Sequence, residues 1–248
     1  MAKDSGSNPK GGVARQPGKR NFRSIKIPVR LDIEEAKAQL RWKDRPGAPI
    51  DFSELVREAE SLLKPEAAFK VAYIEKPEED VVRIEGVSFS SRVLRRNLDD
   101  VERVFPFVIT VGIDLERRAG DCGDPLRQYY LESLADMALG KVARSLESHL
   151  KSRHGLSQLS SMSPGSLEDW PITEQKLLFS LFEDASKPLG VRLTEHMLMV
   201  PRKSISGIMF PTEVSFQSCQ LCPRKDCPGR RAAFDKELKK KFRLKEGA

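Results

Sequence analysis

The chain has 248 residues, of which 39% are hydrophobic, and its formal net charge is +7. This content is enough to bury a core, and it fits one large domain or two small ones packed together; we expect one globular body. Four cysteines are too few for a disulfide scaffold, and the absence of a long uncharged apolar run and of a signal-peptide pattern predicts a cytoplasmic protein without a membrane span.

The basic charge is concentrated at the two ends. Residues 1–23 carry six Lys or Arg against one acidic residue and residues 223–248 carry ten against four, so the net charge of +7 leaves about −4 for the middle. Residues 1–22 contain four Gly, two Pro and almost no large apolar side chain, which predicts a disordered basic tail. Without interleaved aromatic residues, a solvated tail is favoured over a nucleic-acid-binding arm.

Ordered structure is expected to begin with a short strand at residues 25–29. Pro28 favours an edge position for this strand, because proline cannot donate to a neighbouring strand. Two helices follow, and each is opened by an aspartate at the N-cap position, Asp32 and Asp51. The second helix is expected to stop at Pro65.

The hydrophobic period then changes to that of strands. Residues 68–74 and 81–89 predict two strands that pair with each other across an acidic turn. Residues 92–98 predict a short and very basic helix. The continuous apolar run at residues 105–112 predicts a buried strand in the centre of a sheet.

The longest predicted element is a helix that starts at Asp124-Pro125. The Asp can accept backbone donors, and a proline at the first helical position gives up an N–H that has no partner there. Apolar residues then recur every three or four positions over about 27 residues, and the helix is expected to end before Gly155. A shorter helix is predicted from Thr173 to about Ser186.

The C-terminal third predicts two more strands, at residues 191–200 and 204–210, and a Lys-rich helix around Leu238. Together these elements predict an α+β fold. We expect one domain over residues 23–215, followed by a Cys-containing loop and basic helix over residues 216–248.

The turn before the last strand is the first candidate site. Pro201-Arg202-Lys203 leads into Ser-x-Ser-Gly, which ends at Gly207. Hydroxyls, a cation and a residue without a side chain suit a polar ligand that the backbone approaches closely. A glycine at a β-bulge explains Gly207 equally well.

Four motifs in this region also carry a family resemblance. They are Ser-Pro-Gly at residues 163–165, Trp-Pro-x-x-Glu-Gln at 170–175, Leu-Thr-Glu-His-Met-Leu-Met-Val-Pro at 193–201 and Lys-Ser-Ile-Ser-Gly-Ile at 203–208. Their order and spacing resemble the activation (reactivation) domain of vitamin B12-dependent methionine synthase, in a short stand-alone form. The likeness covers roughly residues 67–230.

The resemblance implies a mixed domain with a mostly antiparallel central sheet flanked by helices. It implies that the domain docks over cobalamin carried by another module, holds S-adenosylmethionine in a shallow groove, and supports remethylation of oxidised cobalt. The implied partners are a corrinoid-binding protein or a truncated methionine synthase and an electron donor.

The resemblance also implies a set of ligand contacts. These are Ser163, Pro164, Gly165 and Ser166 in the loop, and Lys203, Ser204, Ser206 and Gly207 in the strand beside it. The family's loop carries an Arg three residues before the Pro and a Tyr after the Gly, where this chain has Ser161 and Ser166. A planar fork for a carboxylate and a stacking ring are therefore missing, which weakens the expectation of S-adenosylmethionine binding more than that of corrinoid docking.

One single residue has a candidate chemical role, and two histidines are assigned none. Glu195 is a candidate ligand contact or acid/base group, although a strand residue with a local hydrogen bond is the favoured interpretation. His149 and His154 are expected at the solvated end of the long helix, where they complement its dipole.

Three cysteines form a candidate metal site. Cys219-x-x-Cys222 lets two thiolates reach one metal from a tight turn, and Cys227 can close the arc. Zinc or an iron-sulfur cluster would take a fourth ligand, for which Cys122 and His196 are candidates. Unligated thiols in a loop are the alternative. A cluster would suit electron delivery to cobalt, and zinc would suit a structural clasp.

The leading hypothesis is thus a stand-alone protein that docks on a corrinoid protein and supports reductive methylation of its cobalt. Whether it is an enzyme of a methyltransferase system stays open at this point. The alternative is a non-catalytic binding module, stabilised by zinc or a cluster, that carries corrinoid or holds RNA or an acidic partner.

Overall fold

The computed structural model describes residues 22–43, 50–75, 80–182, 189–227 and 230–242. Apart from Phe22, which is buried, the predicted N-terminal tail lies outside these ranges. Within the described ranges no helix is long and apolar enough to cross a membrane.

The strands have the following bounds: β1 (Arg23–Lys26), β2 (Glu66–Phe69), β3 (Ala72–Tyr73), β4 (Val81–Ile84), β5 (Val87–Ser90), β6 (Arg103–Thr110), β7 (Leu159–Met162), β8 (Arg192–Leu193), β9 (Met199–Val200) and β10 (Ser204–Pro211). The helices are α1 (Ile33–Gln39), α2 (Phe52–Leu62), α3 (Arg92–Asn97), α4 (Asp114–Gly120), α5 (Pro125–His154), α6 (Gln175–Ser180) and α7 (Lys236–Lys241).

One antiparallel sheet organises the fold. Its strand order is β1-β2-β6-β10-β7, and β3 pairs with β6 beside β2. β6 is buried along nearly its whole length, as its continuous apolar run predicts. The strand predicted at residues 25–29 lies at the edge as expected, but it spans Arg23–Lys26 and ends before Pro28. The predicted α+β fold with a mostly antiparallel sheet is confirmed.

Helix α5 covers one face of this sheet. The Asp124 side chain accepts hydrogen bonds from the backbone N–H of Leu126 at 2.8 Å and of Arg127 at 3.3 Å. Gly155 ends the helix in the left-handed conformation, with φ of 64°. Both predicted ends are therefore confirmed, and α5 shares a hydrophobic core with β2, β6, α2 and α4.

The opposite face of the sheet is covered by the β4–β5 hairpin, α3, α6 and the fully buried Trp170. A buried ion pair, which the sequence pattern does not reveal, joins these parts. Lys70 Nζ lies 2.5 Å from Glu85 Oε2 and donates to the Leu181 carbonyl at 3.2 Å, while only 3% of the Lys70 side chain is exposed. The pair ties the end of β2 to the hairpin turn and to the end of α6.

The predicted pairing of residues 68–74 with 81–89 is wrong. β2 and β3 pair with β6, and residues 81–90 fold back on themselves as the β4–β5 hairpin. The cause is the two-residue turn at Glu85 and Gly86, whose φ values of 47° and 83° suit a tight hairpin. The β-pairing between residues 68–74 and 81–89 is limited to one isolated bridge, between Ile74 and Ile84.

The predicted ten-residue strand at 191–200 is also wrong. β8 and β9 are two residues each and pair with each other, because the chain turns at Met197 with φ of 64°. The Thr194 hydroxyl accepts a hydrogen bond from Leu198 N–H and so holds this turn.

The helix predicted from Thr173 to Ser186 is shorter and begins differently. A 3-10 turn at Ile172–Glu174 precedes α6, which ends at Ser180, and residues 183–188 lie outside the described ranges. Leu178, Leu181 and Phe182 are buried as predicted, whereas Leu177 is 39% exposed.

His149 and His154 pack against the sheet, contrary to the expectation of solvated rings. The His149 ring lies edge-on to Phe69, and the His154 ring centroid is 4.8 Å from that of Phe105. His154 Nε2 is buried and has no hydrogen-bond partner within the described ranges. Burial lowers the pKa of His154, and the nearby positive charge of Arg103 lowers it further.

We expect His154 to make the protein less stable in mild acid. Its pKa in the folded protein lies below the ordinary value of 6.5. The unfolded chain therefore takes up the proton first, and stability falls as the pH drops below about 6.5. H154F keeps an aromatic ring against Phe105 but has no group that takes up a proton. The free energy of unfolding, measured by urea titration, should therefore fall less between about pH 7.5 and pH 5.5 in H154F than in the wild type. Substitution of the exposed His196 by Gln is the control, and an equal pH dependence in H154F and wild type would contradict the assignment.

A second prediction concerns the Lys70–Glu85 pair. Glu85→Gln leaves a buried ammonium without its counter-charge, which should lower the free energy of unfolding by about 3 kcal/mol in a urea titration. Adding Lys70→Met to that variant should recover much of the loss. Lys64→Met is the matched control, because the Lys64 side chain is 70% exposed and its pair with Asp114 should contribute much less to stability. Similar losses in the two pairs would contradict the importance of burial.

Candidate functional site

The candidate site lies where β10 extends beyond its neighbour β7. The last paired residues are Ile208 of β10 and Met162 of β7. Residues 204–207 therefore have β6 on one side and, on the other, the loop formed by residues 163–166, which we call the 163–166 loop. The structure thus brings together the two segments that the sequence predicts as one site.

Gly207 is the point of contact between the strand and the loop. A Cβ atom added to Gly207 would lie 2.5 Å from the Met162 carbonyl oxygen and 2.7 Å from Ser163 Oγ. No larger residue leaves room for the loop to lie this close to the strand. The glycine is therefore explained by close packing of the loop, and the predicted alternative of a bulge is not needed.

The 163–166 loop is held by its own hydrogen bonds. Gly165 has φ of 80° and donates its N–H to the Trp170 carbonyl at 2.7 Å. The Ser166 hydroxyl donates to the Ser163 carbonyl at 2.6 Å. A Cβ atom on Gly165 would lie 2.8 Å from the side chain of Ile172, so Ile172 covers this glycine. The loop conformation is set by the protein before any ligand arrives.

The Trp-Pro-x-x-Glu-Gln motif fastens this region to the rest of the fold. The Trp170 indole N–H donates to Glu174 Oε2 at 2.8 Å, and Glu174 also accepts the backbone N–H of Ser90 in β5. The Gln175 amide donates to the Ser206 hydroxyl of β10 at 2.9 Å, and Gln175 Oε1 is buried with no partner among the described residues. Sequence reasoning used this motif to recognise a family but did not identify these ties.

The serines of β10 serve mainly as internal links. Ser204 is buried, and its hydroxyl contacts Thr110 Oγ1 at 2.9 Å and the Pro201 carbonyl at 2.8 Å. Ser206 is also buried, against Gln175. The predicted hydroxyl groups are thus present at the site, but both are already engaged within the protein.

The cations of the preceding turn are paired with carboxylates on α4 and α5. Arg202 donates through its backbone N–H and Nε to Glu116, at 2.7 and 2.9 Å, and through Nη2 to Glu132 at 3.3 Å. Lys203 Nζ lies 2.8 Å from Asp136 Oδ1. The hydrogen bond to Glu116 raises the pKa of Arg202. The predicted cation at Lys203 is therefore present but neutralised.

Glu195 lies at the exposed tip of the β8–β9 hairpin. Its side chain is 86% exposed and that of His196 is 81% exposed, and the two approach to 3.5 Å. No described contact joins Glu195 to the 163–166 loop or to β10. Its role as a ligand contact stays a prediction.

The three clustered cysteines do not form a metal site in this structure. Among the described residues, no group of three or more His, Cys, Asp or Glu side chains is placed to hold a metal ion, and all four cysteines are free thiols. The Cys219 and Cys222 carbonyls instead accept hydrogen bonds from the Arg230 guanidinium, at 3.1 and 3.2 Å. The Arg230 side chain thus organises the loop in which the sequence predicts a zinc or iron-sulfur site. The structure gives no support to either kind of site.

Comparisons with known proteins identify a similar family and a similar solved structure. The family model described as "Vitamin B12 dependent methionine synthase, activation domain" matches residues 164–219. The chain is also similar to the "Crystal Structure of the MetH Reactivation Domain bound to AdoHcy", with a TM-score of 0.53 and 16% identity over 81% of this chain and 82% of that chain. A search of curated proteins finds no match.

The matched segment begins in the 163–166 loop and runs through α6 and β10 to Cys219, so it contains the loop except for Ser163 and the site residues of β10. The structural likeness extends over most of the chain and, at its low identity, establishes the fold. The resemblance that the motifs indicate is therefore confirmed: residues 164–219 match the family model of the vitamin B12 dependent methionine synthase activation domain, and the chain has the fold of the methionine synthase reactivation domain.

Proposed function

We propose that this protein acts as a reactivation domain for a corrinoid carried by a separate protein. It docks over the corrinoid and supports the return of its oxidised cobalt to the methylated state. One observation carries the proposal: the segment that matches the family folds into a single preformed site, in which the 163–166 loop packs directly on Gly207 of β10. The partially exposed Ile172 extends this surface with an apolar side chain.

The chemistry of such a step makes few demands on acid/base groups. A one-electron donor reduces the partner's cobalt, and a methyl donor then transfers its methyl group to the reduced metal. The chain contributes by positioning the two reactants and excluding water between them. The site is consistent with this role, because its side chains are hydroxyls, glycines and a proline, and the nearby ionisable groups are tied up in ion pairs.

S-adenosylmethionine is the methyl donor that the family relationship suggests. The hydroxyls of Ser166, Ser204 and Ser206 already have partners within the protein, and the flanking cations Arg202 and Lys203 are paired. Position 161, opposite Met209 in β10, holds a serine in place of an arginine fork for the donor's carboxylate. We therefore propose that S-adenosylmethionine binds weakly. The same observation favours, as a second candidate function, a protein that shelters corrinoid without transferring a methyl group.

The docking proposal predicts a spectral response that depends on Gly207. Titration of the protein into a cobalamin-binding module of methionine synthase that holds cob(II)alamin should change the corrinoid absorbance bands saturably. Gly207→Ala forces the 163–166 loop away from β10, so it should lower stability by about 1–3 kcal/mol and weaken the response at least tenfold. Gly140→Ala is the control, because a Cβ atom there meets only the end of the Arg144 side chain, at an ordinary contact distance of 3.6 Å, and alanine should stabilise α5 by up to about 1 kcal/mol. An unchanged spectrum with the wild-type protein would refute docking.

A second prediction tests the methyl donor. Ser161→Arg restores a guanidinium at the loop, and it should tighten S-adenosylmethionine binding about tenfold in calorimetric titrations, since a hydrogen bond to a charged group contributes about 1.5–3 kcal/mol. Ser157→Arg adds the same charge at an exposed position before β7 and should have little effect. Equal gains in the two variants would show that only net charge matters, and would count against a specific site.

A further inference from the structure

A groove at the β1 edge of the sheet has no part in the proposed reactivation. It measures about 660 Å³ and lies between residues 28–30, which follow β1, and one face of α5. The candidate site lies at the other edge, beside β7. The side chains that line the groove include three Lys or Arg residues, one histidine and two serines but no carboxylate.

The cations of this groove are available to a ligand. Arg30 is 91% exposed and pairs with Glu60 at 3.2 Å, and Lys141 pairs with Glu35 at 2.6 Å. The Arg30 side chain is exposed, so its ion pair contributes little stability and Arg30 can turn toward an anion at small cost. The Lys141 side chain is only 23% exposed and stays beside Glu35, but its ammonium group has three N–H donors, so a second acceptor can bind there. Arg144 is exposed and has no ion-pair or hydrogen-bond partner among the described residues. It is the strongest candidate for the principal anion contact.

The other groups in the groove complement a tetrahedral anion. Lys141, Arg144, Ser145 and Ser148 recur at helical spacing along one face of α5. A guanidinium presents a planar fork of donors that matches phosphate oxygens, and the serine hydroxyls supply additional donors. His149 closes the far end, where its ring is fixed against Phe69.

The remaining wall of the groove is apolar and can contact the organic part of a ligand. Pro28 and Val29 line the side of the groove that faces α5. Val29 packs against the hydrophobic core, and Pro28 has no backbone N–H to offer. The groove volume falls within the range of sites that hold small organic molecules. An anion alone would leave this wall unused.

We propose that this groove binds the phosphate ester of a small organic molecule, with the phosphate group on Arg144, Lys141 and the two serines. The organic part lies against Pro28 and Val29.

The charges around the groove argue against a nucleic acid in its place. Acidic residues alternate with basic ones on the surrounding surface, where Glu34 lies 3.4 Å from Lys37 and Glu147 lies 3.7 Å from Lys151. Nucleic-acid surfaces usually present a continuous basic stripe that follows the phosphate backbone. The cations that line the groove form a compact group and not a stripe, which suits a small ligand.

Titration of the isotope-labelled full chain with phenyl phosphate, followed by NMR, tests this proposal without any corrinoid. Amide signals of residues 141–149 should shift saturably. Arg144→Ala should weaken binding at least about tenfold, and Arg144→Lys should weaken it less, because the charge remains while the fork is lost. Arg117→Ala is the matched control, since it removes an exposed arginine from α4 outside the groove, and it should leave the affinity unchanged.

Three outcomes would overturn the proposal. Equal weakening by Arg144→Ala and Arg117→Ala would show non-specific attraction of anions. Equal affinity for inorganic phosphate and phenyl phosphate would show that the apolar wall contributes nothing and would refute the assignment to an ester. Tighter binding of a single-stranded oligonucleotide, also dependent on Arg144, would identify a nucleic-acid surface.

Discussion

The antiparallel ladder between β6 and β10 is the constraint on which the structure depends. It runs from the pair of Ser204 with Thr110 to the pair of Met209 with Phe105, and it separates two hydrophobic cores. One face of the ladder carries α5, and the other carries the β4–β5 hairpin, α3 and Trp170. Because β10 also forms the floor of the candidate site, the site inherits the rigidity of the most central pairing in the fold.

The elements with strong local signals could be predicted from the sequence. Helix α5 has an aspartate and a proline at its start and a glycine just after its end, and β6 is a continuous apolar run; both form as predicted. The failures occur where a turn needs a residue with positive φ that is not a glycine. Met197 and Glu85 adopt such conformations, and each divides a segment whose alternation of apolar residues predicts an unbroken strand.

The site could be located from its motifs, but the roles of its residues could not be derived from them. Sequence reasoning treated Ser204, Ser206 and Lys203 as groups open to a ligand, whereas the fold directs them to Thr110, Gln175 and Asp136. These partners are distant in sequence, so spacing contains no signal for them. The same holds for the cysteine loop, where Arg230 occupies the backbone carbonyls that surround the expected metal ligands.

The length of α5 has a consequence for how the protein can diversify. Asp136, near the middle of the helix, anchors the turn that leads into β10, and Arg144 lies eight residues further along, a rise of about 12 Å at 1.5 Å per residue. Substitutions at that separation usually act independently of each other. A substitution at one end of this single helix should therefore leave the geometry of the other end unchanged.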